Sequence, residues 1–197
     1  MGVYLVSVAA DEWFDAEEGG FGELATALDA ALIQRGLPPF DSLPGEAEFV
    51  RGSGLLFEEK LSARMEGFTA LCAEHLTEAE AETLGGWSAL VPIFLEDGIR
   101  LPVPSAYCDE TLVAGAPQVL ALAERLARLL ELPTEAIPAT SDNLELTLWF
   151  RSDGPAPRVA AERPGPWAGD LDTAFYVALY LRAAQHSLRR NCPLTYC

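Results

Sequence analysis

The segment from Asp170 to Arg190 constrains the fold more than any other part of the chain. Its central portion, residues 174–181, is apolar on almost every side of a helix. A helix of this kind has no face suited to water, so it is stable only when other elements cover it all round. Asp170 or Asp172 can cap its first turn, and Arg189 with Arg190 complements the dipole of its last turn. The sequence therefore predicts a central helix around which the remaining elements pack.

The size of the chain is sufficient for a hydrophobic core. A chain of 197 residues buries about 70% of the surface that its unfolded form exposes, so it folds without disulfides. Half of its residues are hydrophobic and 22% are charged, which is far from the composition of disordered proteins. We interpret residues 1–197 as a single domain.

The sequence offers no targeting signal and no membrane span. Residues 1–8 are apolar but lack the Lys or Arg that begins a signal peptide. The longest strongly apolar stretch, Thr173 to Leu181, is shorter than the roughly 20 residues that cross a bilayer. The cysteines are scattered, which favours reduced thiols in a cytoplasm, although the last two could pair: Cys72, Cys108, Cys192 and Cys197.

Hydrophobic periodicity indicates both helices and strands. A strand is predicted over residues 2–9, and residues 143–150 alternate between apolar and polar side chains in the manner of a half-buried strand. Thr77 and Glu80 match a capping box at the start of a short helix. Apolar residues recur at helical spacing in three further segments, which we expect to be helices: 20–35, 57–76 and 116–132.

Two apolar runs, residues 88–95 and 99–103, are joined by Glu96-Asp97-Gly98, which predicts a hairpin. Pro92 and Pro102 place this hairpin at the edge of a sheet, because each removes a backbone donor. Long loops are expected over residues 37–54, with a short strand near Phe49, and over residues 151–169. The order of elements predicts an α+β fold: a mixed, mainly antiparallel sheet of about four to five strands covered by about four to five helices.

The charge is strongly negative and unevenly distributed. Against 30 Asp and Glu stand 13 Lys and Arg, so the formal net charge is −17, and residues 1–122 hold 21 of the acids with 5 of the bases. Phosphate backbones and anionic lipids are bound mainly through Lys and Arg, so this surface repels both. We therefore expect neither a nucleic-acid nor a membrane partner.

An acidic segment follows the first predicted strand. Carboxylates steer a basic partner and pair with its Lys and Arg, while aromatic side chains supply buried contact area. The predicted partner-binding residues are five acids and the two aromatic residues between them: Asp11, Glu12, Trp13, Phe14, Asp15, Glu17 and Glu18. The alternative is a solvated acidic loop whose Trp13 and Phe14 pack into the core.

Residues that could carry catalysis or bind a metal are few. Cys72 and His75 could share a zinc ion with the two C-terminal cysteines, but the spacing of that second pair is unusual. Cys108 precedes two acids, which makes it a poor nucleophile unless His186 reaches it. None of the common nucleotide-binding or hydrolase motifs is present. We predict no catalytic residue, no metal and no cofactor, and favour a protein that is not an enzyme.

A weaker ligand-binding hypothesis concerns the second long loop. Arg151, Arg158 and Arg163 lie there with Trp167, and they could hold a carboxylate or a phosphate. The same arginines could instead pair with acids of the same molecule.

The sequence favours a non-enzymatic module that covers a basic protein with its acidic N-terminal half. A bacterial immunity protein or inhibitor that occludes the basic cleft of a nuclease is one specific version, by analogy of charge. Two alternatives stay open. One is a small-ligand-binding protein or enzyme with a pocket between the loop after the first strand and the 151–169 loop. The other is a homo-oligomeric structural protein that associates through the edge hairpin.

Overall fold

The computed structural model describes residues 2–17, 19–105 and 108–197 and has a mixed α+β fold. Within these ranges there are six strands: β1 (Tyr4–Ser7), β2 (Glu58–Lys60), β3 (Ala89–Val91), β4 (Ile99–Leu101), β5 (Thr111–Gly115) and β6 (Leu194–Tyr196). The same ranges hold eight α-helices: α1 (Ala10–Trp13), α2 (Gly22–Gln34), α3 (Glu66–His75), α4 (Glu78–Gly85), α5 (Ala116–Leu129), α6 (Glu145–Phe150), α7 (Ala156–Glu162) and α8 (Leu171–Arg190). A 3₁₀ helix spans Pro166–Gly169.

All six strands belong to one sheet, in the order β2-β1-β6-β3-β5-β4. Four of its five pairings in the described residues are antiparallel, and β3 with β5 is the parallel one. Strand β6 lies between β1 and β3, with Leu5 opposite Tyr196 and Ala89 opposite Thr195. The last strand of the chain therefore joins the two halves of the sheet.

The sheet separates two apolar clusters, because side chains of a strand alternate between its faces. Leu90 of β3 belongs to the larger cluster, which includes residues of α3 to α8. Its neighbours Ala89 and Val91 belong to the smaller cluster, which includes Leu28 and Leu32 of α2. Helix α2 thus covers one face, and most of the other helices cover the opposite face.

Helix α8 is the centre of the larger cluster. Every residue from Thr173 to Leu181 is buried, and α3, α5, α6 and β3 all pack against the helix. The Asp170 carboxylate caps its first turn by accepting the Thr173 backbone N–H at 3.1 Å and the Thr173 hydroxyl at 2.7 Å. These bonds lower the pKa of Asp170. The predicted central helix is confirmed. In the described residues, no helix combines the length and apolar character needed to cross a membrane.

The α+β class and the mixed sheet are confirmed, with somewhat more strands and helices than expected. The helices predicted over 20–35 and 116–132 are α2 and α5. The capping box is also present: Thr77 Oγ accepts the Glu80 N–H, and the Glu80 carboxylate accepts the Thr77 N–H at 2.8 Å. Arg125 of α5 donates to the same carboxylate at 2.8 Å, and this is the main reason that the pKa of Glu80 falls to about 2.

The strand predicted over residues 143–150 is wrong, because Glu145–Phe150 is helix α6. The contact that stabilises the start of α6 comes from a residue far away in the sequence. The buried Glu59 carboxylate accepts the backbone N–H groups of Leu146 and Thr147 at 2.7 and 2.8 Å and also the Thr147 hydroxyl. It thereby satisfies amides that a helix start leaves free. Burial nevertheless raises the pKa of Glu59.

Four other local predictions are also wrong. The two runs 88–95 and 99–103 do not form a hairpin, because β5 lies between β3 and β4 in the sheet. The helix predicted over 57–76 begins only at Glu66, because Glu58–Lys60 pairs with β1 as the edge strand β2. The 151–169 loop contains α7 and the 3₁₀ helix. Phe49 lies outside any strand and is half exposed.

Gly67 of α3 provides a test of the packing at the start of α8. A Cβ atom there would collide with the Asp170 carboxylate and the Thr173 hydroxyl that form the cap. We expect Gly67→Ala to lower the free energy of unfolding by about 1–3 kcal/mol, despite the better helix propensity of Ala. The midpoint of urea denaturation measures this change.

Gly169→Ala is the matched control, because a Cβ at Gly169 meets nothing within 4 Å. It should unfold at the wild-type urea concentration or slightly above it. A Gly67→Ala protein as stable as wild type would contradict this account of the α3–α8 contact.

Candidate functional site

The acidic segment folds as the short helix α1 and a turn, and its two aromatic residues have different environments. Trp13 is fully buried, stacked on Phe21 and edge-on to Phe40, with ring centroids 6.1 Å apart in both pairs. Phe14 is 47% exposed. The expectation that Trp13 offers contact area to a partner is therefore corrected: it anchors the segment to the smaller cluster, and Phe14 alone is accessible.

Backbone hydrogen bonds close the turn that follows α1. The N–H groups of Gly20, Phe21 and Gly22 donate to the carbonyls of Glu17, Glu12 and Asp15 at 3.0, 3.0 and 2.7 Å. A side chain at position 20 or 22 would collide with the Asp15 carbonyl, so the closure requires glycine at both positions. These amides are bonded within the turn, and the turn holds the carboxylates of the segment in place.

Four carboxylates of this segment and one from the next long loop form what we call the acidic surface: Asp11, Glu12, Asp15, Glu17 and Glu46. All five residues are exposed. The Ala10 N–H donates to the Pro44 carbonyl at 2.9 Å, which brings the loop against α1. Three of the acids consequently line one cavity of about 180 Å³: Asp11, Glu12 and Glu46. Glu18 lies outside the described residues.

The carboxylates of the acidic surface have no ionic partner in the described part of the chain, where no Lys, Arg or His nitrogen lies within 4.0 Å of them. Arg190 lines the same cavity, but none of its nitrogens lies within 4.0 Å of a carboxylate oxygen of the acidic surface. On the helical side of the sheet, by contrast, Glu80 and Glu135 pair with arginines at 2.8 and 2.6 Å. In the described residues, the acidic surface therefore has one cation nearby, Arg190, but no direct ion pair.

Exposed apolar side chains accompany these acids. Phe14 lies within the acidic segment, and Phe49 and Val50, which are 50% and 55% exposed, follow Glu46 on its loop. Large apolar groups that remain exposed beside charged residues are characteristic of surfaces that bind other proteins.

The arginines of the weaker hypothesis do not converge on one site. Arg151 pairs with Asp153 at 2.9 Å, Arg158 with Glu162 at 3.9 Å and Arg163 with Glu135 at 2.6 Å. Trp167 is buried, and its ring lies 6.3 Å from that of Trp149.

In the described residues, the two loops between which a pocket was expected, the loop after β1 and residues 151–169, pack into different apolar clusters. Trp13 belongs to the cluster on the α2 side of the sheet, and Trp167 belongs to the cluster on the other side. The sheet itself therefore separates the two loops.

The cysteines and histidines do not form a site in the described residues. All four thiols are free, and no group of three or more His, Cys, Asp or Glu side chains within the described ranges could hold a metal ion. Burial raises the pKa of Cys72 to about 11 and that of Cys192 to about 12, so both are poor nucleophiles. Cys108 is exposed, whereas His186 is buried against Phe57, with ring centroids 5.5 Å apart.

Sequence reasoning missed two other polar features. Asp142 is buried and accepts the Gly54 N–H at 3.1 Å, which fixes a loop beside His186 rather than forming an accessible site. A groove of about 530 Å³ is lined by residues of β1, β2, α6 and α8 and includes Lys60, the one lysine of the chain. The count of one lysine is visible in the sequence, but nothing local indicates that a groove surrounds it.

Comparisons with protein families, curated proteins and solved structures found no match to this chain. A functional proposal consequently depends on the charge, exposure and geometry described above.

Buried His186 predicts a pH dependence of stability. Burial, and then the charges of Arg189 and Arg190, lower its pKa from 6.5 to about 3. Between these values the unfolded chain binds more protons than the folded one, so stability falls as the pH falls from about 6.5 towards 3. We expect His186→Gln to flatten the plot of unfolding free energy against pH in this window, by up to about 1.4 kcal/mol per pH unit.

The exposed His75 supplies the control for this measurement. His75→Gln should retain the wild-type slope in urea titrations repeated across the window. Parallel curves for wild type and His186→Gln would show that His186 is not the group responsible.

Proposed function

We propose that this protein is a non-enzymatic binding module that covers a basic protein with its acidic surface. The observation that carries the proposal is the set of five exposed carboxylates without an ionic partner in the described residues. Exposed acids on other helices, such as Glu66, Glu78 and Glu124, also lack an ion pair in the described residues, so the distinguishing feature of the acidic surface is that three of its carboxylates line one cavity. Arginine and lysine side chains of another protein are the groups that would complete the acidic surface.

Electrostatic steering would bring the partner to this surface. Asp11, Glu12, Asp15 and Glu17 lie within a few residues of one another, and Glu46 lines the same cavity as Asp11 and Glu12. Their fields therefore add over distances comparable to the Debye length of about 8 Å at physiological salt. The rest of the molecule is also negative, because the five carboxylates contribute only −5 to a formal net charge of −17. A positively charged partner therefore associates quickly, and added salt slows that association.

Contact area would come from the apolar residues beside the acids. Phe14 projects from a segment that Trp13 anchors in the core, so ordering it on binding costs little conformational entropy. Phe49 and Val50 add apolar surface on the neighbouring loop. Together the charged and apolar groups give the two components that specific protein interfaces combine.

A specific version of this proposal is an inhibitor or immunity protein that neutralises a nuclease. A nuclease presents a basic cleft that binds phosphates, and carboxylates on a rigid surface can occupy the same cationic side chains. Such an inhibitor requires no catalytic residue of its own.

The test compares two triple variants that each reduce the formal net charge from −17 to −14. The first neutralises the acidic surface with Asp11→Asn, Glu12→Gln and Asp15→Asn. The control neutralises three exposed acids on helices of the opposite face with Glu66→Gln, Glu78→Gln and Glu124→Gln. Wild type and both variants are immobilised, and the native lysate is passed over each at low and at high salt.

We expect wild type and the control to retain a basic protein at low salt and to release it at high salt. The association rate of that protein, once purified, should fall about tenfold or more in the first variant, because its charged steering residues are lost. Equal loss in both variants would indicate a non-specific effect of net charge. Equal binding by all three proteins would contradict the role of the acidic surface.

A further inference from the structure

The groove around Lys60 is a second concave feature, and it shares no lining residue with the cavity beside the acidic surface. Its volume of about 530 Å³ is within the range of about 300–1,000 Å³ found for small-molecule sites. It is formed by parts of β1, β2, α6 and α8 that are far apart in the sequence. The residues that matter for its chemistry are Tyr4, Lys60, Leu148, Phe150, Arg151 and Phe175.

Lys60 is held in place at one end of the groove. Its backbone N–H donates to Thr147 Oγ at 3.1 Å, and the Thr147 hydroxyl in turn donates to the carboxylate of the neighbouring Glu59 at 2.7 Å. Its side chain passes so close to Gly2 that a Cβ there would lie 2.6 Å from Lys60 Cε. The ammonium group is 5.9 Å from the centroid of the Tyr4 ring. The charge is thus positioned by packing rather than by a carboxylate.

Lys60 has no carboxylate oxygen within 4.0 Å in the described residues, although the chain contains 30 acids. Arg151 also lines the groove and uses one nitrogen for its bond to Asp153 at 2.9 Å. The acid that lines the groove, Asp172, lies 3.6 Å from Arg64. The groove is therefore a locally cationic position on a strongly acidic protein.

The rest of the groove is apolar. Leu148 is 40% exposed, and the Phe150 ring lies edge-on to that of Phe175 at a centroid distance of 5.8 Å. A ligand that matches this combination has one anionic group for Lys60 and Arg151 and an apolar body for the wall. Asp153 is bonded to Arg151, and Asp172 lines the same groove, so both reduce the attraction for a second negative charge on the ligand and disfavour a doubly charged phosphate.

We propose that this groove binds a small monocarboxylate with an aromatic or aliphatic body. The carboxylate pairs with the Lys60 ammonium and with the free donors of the Arg151 guanidinium, and the body packs against Leu148 and Phe150. This site is independent of the acidic surface, since the two cavities share no lining residue.

The test uses 4-phenylbutyrate as the probe and 4-phenylbutylamine as its counterpart of opposite charge. Backbone amide resonances of the intact ¹⁵N-labelled protein are followed during titration with each compound. We expect saturable shifts at Tyr4, Lys60 and Thr147 with the carboxylate, and binding at least tenfold weaker with the amine. Equal binding of the two compounds, or no saturable shift with the carboxylate, would overturn the proposal.

Variants of Lys60 then test whether its charge binds the probe. Lys60→Gln should weaken 4-phenylbutyrate about tenfold, whereas Lys60→Arg should retain most of the affinity because it keeps the charge. Arg158→Gln is the control for removal of an exposed arginine outside the groove. Urea midpoints equal to that of wild type confirm that each variant is folded. Unchanged affinity in Lys60→Gln would refute the assigned role of Lys60.

Discussion

Burial of α8 on all sides is the constraint on which the rest of the structure depends. Residues 174–181 have no surface suited to water, so α3, α5, α6 and the sheet must all pack against this helix. At its end Asn191 adopts a left-handed conformation with φ of 53°, and the Ser187 hydroxyl donates to the Cys192 carbonyl at 2.8 Å. The chain therefore turns back into the sheet, where β6 separates β1 from β3.

Elements with a self-contained pattern were predictable from the sequence, and elements fixed by distant contacts were not. Helices α2, α5 and α8 each carry enough apolar residues at helical spacing to be predicted from their own sequence. Helix α6 was predicted as a strand because Glu59, which satisfies its first amides, lies 87 residues from Leu146. Strands β2 and β6 have three residues each, which is too short for a pattern, and their positions depend on pairing with β1.

The sequence likewise predicts some features of the candidate sites and not others. Composition and position suffice to find the acids of residues 11–17, because charged side chains in a loop are exposed by default. The burial of Trp13 depends on Phe21 and Phe40, which approach it only in the folded chain. The groove around Lys60 draws on four separate segments, so no spacing in the sequence could indicate it. The two sites share no lining residue: in the described part of the chain, the acids of one and the Lys60 ammonium of the other have no ion-pair partner within 4.0 Å.

Hydrogen exchange of the protein alone and in complex with its captured basic partner tests the central claim most directly. Exchange reports which backbone amides a partner covers or stabilises, and it requires no substitution in either protein. The account predicts slower exchange in residues 10–17 and 44–50, with α5 and α8 unchanged. Protection confined to the helical side of the sheet, with residues 10–17 exchanging as in the free protein, would contradict it.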